Sequence, residues 1–417
     1  MSPLSAPIGS VAATFLAPVL ELLADCVHAR ACPAFPDEAW IHLGLQRVLH
    51  ELPSGRAFLQ QHAFSLPHCP ARANYFESLK SPRRLSLADE LNQRLCQRLV
   101  ATLPDDLSAY PDLAGFDLYA GDGHWHGAAA HDAPLEGTKY AVGHFYALDL
   151  RHHTLRHLAV GEGKKEHDMH ALKRLGGRAL RQGAPKTRKV LYVWDKAGID
   201  FNAWHRWKQG HGVYFVSLEK ENMKLEACGL PEWDRFDPLN AGLQKVELVF
   251  GAAGVLVRRI RYREPVSGVE YVFLTNELTL RPGLIAFLYK RRWEVEKVFD
   301  ELKNKLGEQR AWASSPIAKA AQAQLICLWH NLLVLVDARL KAEGIENQAE
   351  NRRRQETLAQ AQKLAAAAGR KIPSPVVALQ RLTQHSVKLL RWLRSSFASR
   401  LPWDAATPRL RALYATL

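Results

Sequence analysis

Apolar and polar positions change their period several times along this chain, and each change marks a different kind of element. Up to about residue 105 the apolar residues recur at helical spacing. Trp40, Leu43, Val48 and Leu49 place a helix over Pro36–Glu51. Ser86 with Asp89 offers a capping-box-like start for a second helix running through Leu99. Between them, SLKSPRRLSL (Ser78–Leu87) reads as a connector carrying Lys80, Arg83 and Arg84. From Phe116 the pattern shortens. Phe116–Gly121, Tyr140–Leu148 and Thr154–Val160 read as strands, the last two joined by a turn at Asp149–His153. A helix from about Glu166 to Leu180 follows. Lys189–Trp194 (KVLYVW) is a near-continuous apolar run, as a strand buried on both faces requires. Ile199–Gln209 reads as a helix stopped by Gly210 and Gly212, and Val213–Ser217 as a further strand.

The order of three strands, helix, strand, helix, strand predicts an α/β fold: a mixed sheet flanked by helices. Residues 220–281 are β-rich (Val246–Phe250, Val255–Arg263, Val269–Thr275, with a turn at Glu264–Gly268) and form an insertion ahead of the next helix. Helical regions then bracket the sheet. The expected division is 1–105 helical, a candidate for DNA-end binding; 106–219 and 282–340 the two parts of the central domain; 220–281 the insertion; and 341–417 a basic helical region.

One helix has three faces instead of two. In YKRRWEVEKVFDELK, Tyr289, Arg292, Glu296 and Lys303 fall within an arc of roughly 60° at about 100° per residue. Leu284, Leu288, Val295, Val298, Phe299, Leu302 and Leu306 fill the adjacent arc as a core-facing stripe, with Arg291 the one charge among them. Lys290, Glu294, Lys297, Glu301 and Lys305 cover the solvent side, and Asp300 lies just off the narrow face. Arg/Glu pairs four apart also serve helix support alone. A carboxylate flanked by cations and a phenol at the edge of a core suits chemistry on a phosphate backbone.

Charge points the same way. Lys and Arg exceed Asp and Glu by 56 to 42, a net +14 with an isoelectric point near 9.5, which favours a polyanionic partner such as nucleic acid. A merely solvated basic surface is the alternative. Residues 351–400 hold eleven cations and one acid, Glu356; Leu382, Leu389, Leu390 and Leu393 recur at helical spacing there, interleaved with Lys388, Arg391 and Arg394. Such a tail serves DNA, another subunit or solvent. The six cysteines are scattered with no C-x-x-C pair, so neither a zinc site nor a disulfide framework is expected, and a reducing cytosol fits. The pairs His124/His126 and His152/His153 lack matching ligand spacing and read as structural. The apolar run Val11–Leu23 has no preceding Lys or Arg, is short, and is interrupted by Glu21 and then Asp25, so neither a signal peptide nor a membrane span is expected.

Two aspartates stand where strand ends gather ligands. Asp122 follows the first strand between Gly121 and Gly123, and Asp195 follows the buried strand. Neighbouring parallel strands lie about 5 Å apart, so the two carboxylates could share divalent ions, with Glu296 completing the set. In-line attack on a phosphodiester gains from two such ions roughly 4 Å apart, and oxygen ligands suit Mg²⁺ or Mn²⁺. Asp117, Asp149, Asp200, Glu294 and Asp300 are the acids set aside.

Together these residues resemble the DDE transposases of bacterial insertion sequences, the group with the Tyr-x2-Arg-x3-Glu-x6-Lys signature, met here by Tyr289, Arg292, Glu296 and Lys303 and preceded by Leu274–Asn276. The resemblance covers about residues 116–340. It implies an RNase H-like catalytic domain that cleaves element ends and joins them to a target with two Mg²⁺ or Mn²⁺ ions, held by Asp122, Asp195 and Glu296. Tyr289, Arg292 and Lys303 would hold phosphates. Trp293 stands where relatives use an aromatic to handle the transferred end, against a plain packing role. The implied partners are double-stranded DNA (terminal inverted repeats and target) and a second copy of the chain as a homodimer. The implied location is bacterial cytoplasm, at the nucleoid when DNA-bound. His124 after Gly123, and Lys196-Ala197-Gly198 after Asp195, depart from the group's usual residues without removing a carboxylate. The other readings are a DNA-binding derivative without catalysis, and an RNase H-like nuclease that cuts without strand transfer.

Overall fold

A computed structural model of the chain describes residues 9–50, 54–63, 70–134, 137, 140–163, 166–265, 267–304, 306, 309–369 and 387–415. Its centre is one nine-stranded mixed sheet: β1 (Phe116–His126), β2 (Val142–Asp149), β3 (Leu155–Val160), β4 (Lys189–Val193), β5 (Val213–Leu218), β6 (Glu226–Gly229), β7 (Leu243–Phe250), β8 (Leu256–Arg263) and β9 (Glu270–Thr275). The spatial order is β3-β2-β1-β4-β5-β9-β8-β7-β6. β1, β4 and β5 are parallel neighbours; every other pairing is antiparallel. The expected strand–helix order is met, with α6 (Asp168–Leu180) between β3 and β4 and α7 (Phe201–His211) between β4 and β5. α7 runs through Gly210 and stops only at Gly212, whose left-handed backbone (φ 61°) a Cβ would strain. The β-rich segment does not stand apart. It extends the same sheet, because β9 pairs with β5.

Alternation along the parallel strands separates two cores. Leu118, Ala120, Leu191 and Val193 face one layer; Tyr119, Val190 and Tyr192 face the other. The second layer is α6 and α7, where Trp204 stacks on Phe215 at 5.5 Å. The first holds α1 (Val11–Leu23), α2 (Asp37–Leu49), α3 (Gly55–His62), α4 (Arg72–Leu79), α5 (Pro82–Thr102), α8 (Pro282–Arg291), α9 (Trp293–Asn304) and α10 (Pro316–Ala342). α10 is long and apolar enough to cross a membrane by length and composition, yet 78% of its apolar window is buried inside the fold. A helix apolar on all sides needs such a setting, and its polar residues are paired across the core. Asn331 donates to Asn92 of α5 and to the Leu155 carbonyl of β3, and accepts from the Leu155 amide.

The termini join this core. Phe15 of α1 lies 4.5 Å from the Trp329 ring and 5.5 Å from Phe397 of the helix Val387–Ala398, and the Val11 amide donates to the Leu401 carbonyl. Leu389, Leu390 and Leu393 are buried as their spacing predicts; Leu382 lies outside the described residues. Of the interleaved cations, Lys388 donates to the Leu413 carbonyl and Arg394 to the Leu49 carbonyl, so part of the tail's charge is spent internally.

Two expectations near the N-terminus need correction. α5 starts at Pro82, capped by the Ser81 hydroxyl, so most of Ser78–Leu87 is helix and Ser86 caps nothing. Arg83 and Arg84 turn inward to clasp the buried Asp37 of α2. A carboxylate taken from water needs that compensation, and its source 46 residues away is invisible to local pattern.

Candidate active site

The parallel ladder between β1 and β4 ends at Ala120↔Val193. Two residues further on each strand stand Asp122 and Asp195, equivalent positions beyond the last shared pair. Asp122 does not follow β1, as expected, but lies within it: the antiparallel partner β2 keeps pairing to His126↔Val142 after the parallel partner has ended. Asp195 has left its strand. Its Oδ1 accepts the Ala197 amide at 2.7 Å and its carbonyl accepts the Ser217 hydroxyl at 2.6 Å, which fixes the turn after β4.

Trp194, fully buried, lies between β1 and the turn after β4. A Cβ at Gly121 would overlap its ring, and one at Gly198 would sit 2.7 Å from it. Its indole Nε1 donates to Asp168 Oδ2 at 2.8 Å. Asp168, in the first turn of α6, is therefore a fourth carboxylate beside the pair. Sequence reasoning missed it because an acid at a helix start is an ordinary preference and carries no distinguishing signal.

Glu296 arrives on α9. Gly283, at the start of α8, packs so closely on the Leu239 carbonyl that no Cβ fits, and its amide donates to Asn240. α8 and α9 are not the single helix expected. At Arg292 the ladder tightens: its amide is shared between the Leu288 and Tyr289 carbonyls, and the Val295 amide reaches back only to Arg292. A turn of three-residue spacing advances about 120° per residue, so one angular register does not carry through both helices. Glu294 and Glu301, placed on the solvent side by periodicity, are in fact buried.

Arg292 is the hinge of the arrangement. Its guanidinium, itself buried, donates to Asp122 Oδ2 at 3.0 Å and pairs with Glu296 Oε1 at 2.7 Å. It also lies 5.5 Å from the Tyr289 ring centre, and Tyr289 rests against Phe273. Burial pushes the Asp122 carboxyl up to about 7; Arg292 pulls it down and Asp195 raises it again. Burial likewise raises Asp168, with Asp195 adding to the effect. Tyr289 is raised by burial and feels both Asp195 and Glu296. So Asp122, Asp195, Glu296, Arg292 and Tyr289 share one electrostatic neighbourhood. Lys303 is exposed at the end of α9 with no ion pair to another described residue, and Trp293 is 52% exposed.

The acids set aside have structural duties. Asp117 pairs with Arg188, Asp149 accepts the Arg151 amide in its turn, Asp200 caps α7 and Asp300 accepts from Asn304. Leu274–Asn276 closes the sheet: Thr275 donates to the Phe215 carbonyl and Asn276 accepts the Phe215 amide. His124, His126 and His144 are buried in stacks, His124 on Phe299 and His126 on His144.

The family described as "Transposase DDE domain" matches residues 117–332, just over half of the chain, a span that includes Asp122, Asp168, Asp195 and Glu296. The chain belongs to the transposase DDE domain family. No curated protein matches it. Transposases of this family use divalent metals and act on DNA. Among the described residues no three His, Cys, Asp or Glu side chains form a ready ion cage, and Arg292 stands between two of the acids. The donors nonetheless fit a hard divalent ion in kind. They are all carboxylate oxygens, and one carboxyl is raised by burial and by a neighbouring carboxylate, the condition a cation relieves.

Proposed function

We propose that this transposase cleaves the ends of an insertion sequence and joins them to target DNA, in cut-and-paste fashion. The reading rests chiefly on two observations: Arg292 bridges Asp122 and Glu296, far apart in sequence, and Asp195 stands at the position equivalent to Asp122 on the neighbouring strand. Asp122, Asp195 and Glu296 would hold two Mg²⁺ or Mn²⁺ ions, which supply activation of the attacking hydroxyl or water and charge relief at the leaving oxygen. Arg292 spends one terminal nitrogen on each carboxylate, and each of those nitrogens carries a second N–H, which would serve a phosphate beside the acids. Lys303, exposed on the same helix, extends the phosphate track, and exposed Trp293 offers an aromatic face to a displaced base. The DNA is duplex, with the terminal repeats and the target held by a homodimer.

Purified protein with Mg²⁺ and a duplex bearing the element's inverted repeats tests this. Nicking at the repeat ends and joining to a second duplex are expected. Asp122→Ala, Asp195→Ala and Glu296→Ala should each abolish cleavage while leaving end binding largely intact. A variant that still cleaves removes its residue from the ligand set, and cleavage without joining would favour a nuclease.

A further inference from the structure

The acid pair is only as well placed as the strand and the turn that carry it, and one side chain touches both. Trp194 immediately precedes Asp195, its ring fills the space left open at Gly121 beside Asp122, and it packs against Gly198 at the far end of the Asp195 turn. The backbone holds its other side: the Trp194 amide donates to the Val216 carbonyl at 2.9 Å, continuing the β4–β5 ladder. An indole in such a slot can still slide or tilt in its plane. The bond from Nε1 to Asp168 Oδ2, 2.8 Å, removes that freedom, and Asp168 is anchored by its place in the first turn of α6.

We propose that Trp194 and Asp168 act as a positioning pair that sets the spacing between Asp122 and Asp195, with Asp168 holding the indole and not an ion. This rests on the assignment of Asp122 and Asp195 as ligands. Asp168 touches the reacting groups only through Trp194. Its raised carboxyl shows that it feels Asp195 through space, yet its Oδ2 is committed to the indole. Residues that orient a ligand in this way commonly change metal affinity or activity by about 10- to 100-fold when replaced.

The variants separate the roles. Asp168→Ala removes the acceptor; Asp168→Asn keeps an oxygen for the indole and loses the charge; Trp194→Phe keeps most of the ring and loses the donor. Two readouts are taken on the full chain: Mn²⁺ binding without DNA, by calorimetry, and cleavage of a repeat-end duplex against Mg²⁺ concentration. Asp168→Ala and Trp194→Phe should each weaken Mn²⁺ binding and raise the half-saturating Mg²⁺ by about 10-fold or more. Affinity for the repeat end without metal should be unchanged. The double variant should be no worse than either single, because both break the same bond. Asp168→Asn should recover most of the loss. An Asp168→Asn protein as defective as Asp122→Asn would make Asp168 a ligand and overturn the positioning role. Wild-type Mn²⁺ binding in Asp168→Ala would overturn it as well. If wild-type protein binds Mn²⁺ but cleaves no DNA, the proposed function fails while the calorimetric arm still decides this one.

Discussion

Replacing Arg292 by Met keeps the volume of its stem and deletes the charge between Asp122 and Glu296. In metal-free protein at pH 8 the lost bond to Asp122, part-buried and charge-assisted, is worth about 2 kcal/mol. The pair with Glu296, whose side chain is 29% exposed, adds less than about 1 kcal/mol. The expected destabilisation is therefore about 3 kcal/mol at pH 8. It should shrink in acid, for a reason that follows from the sign of the Asp122 shift. Its carboxyl is raised from 3.8 to about 7 in the folded protein, so its favourable contribution is complete below pH 4 and is lost as pH rises through 7. Arg292 limits that loss only where Asp122 is ionised. Below about pH 6 Asp122 keeps its proton in both proteins, and the gap should fall to about 1 kcal/mol, the share of Glu296. Unfolding followed with chelator present at pH 5.5 and pH 8 measures both values. An equal gap at the two pH values would refute the coupling between Arg292 and Asp122.

Asp122→Asn should stabilise metal-free protein at pH 8 while abolishing cleavage. A carboxyl moved to about 7 sets a ceiling of roughly 4 kcal/mol, and its partial exposure and its bond to Arg292 bring the expected gain to about 2 kcal/mol, read by the same unfolding assay. Lys303→Ala should weaken end binding and lower the slope of log affinity against log salt by about 1, measured by fluorescence anisotropy across a salt series. His144 and His157 are both depressed by burial, His157 to about 4, so what they contribute is present above pH 6.5 and lost as pH falls toward 4. A His144→Asn, His157→Gln double variant should flatten the acid side of the stability profile between those values; an unchanged profile would place acid sensitivity elsewhere.

Local pattern was enough to find β4, because a strand buried on both faces leaves an uninterrupted apolar run, and enough to place Asp195 at its end. It misjudged the end of β1. A strand's length is set by its longest-lived neighbour, and β2 pairs six residues past the point where β4 stops. Periodicity found the inward stripe of α9 but not the burial of Glu294 and Glu301, since it assumes one unbroken helix and the ladder tightens at Arg292. The cations at Arg83 and Arg84 read as part of a basic connector, and only the fold shows Asp37 opposite them. Asp168 is the clearest case. Its meaning lies entirely in Trp194, 26 residues away, and in the absence of a side chain at Gly121.

The three proposed ligands are held with unequal firmness, and the inequality follows from the elements that carry them. Asp122 lies in β1, paired to β2, and Asp195 in the turn after the neighbouring β4, tied by bonds to Ala197 and Ser217; Trp194 fills the space between them. Moving either means breaking a buried ladder, so both belong to the most stable part of the molecule. Glu296 sits one turn past a tightened segment, on a helix where it forms an ion pair with Arg292. Shifting it requires a change at one partly exposed pair, which is worth less than about 1 kcal/mol. The sheet therefore fixes where two of the acids stand. Arg292 is the physical link through which the third is drawn to them, and its removal should separate a preserved pair from a displaced Glu296.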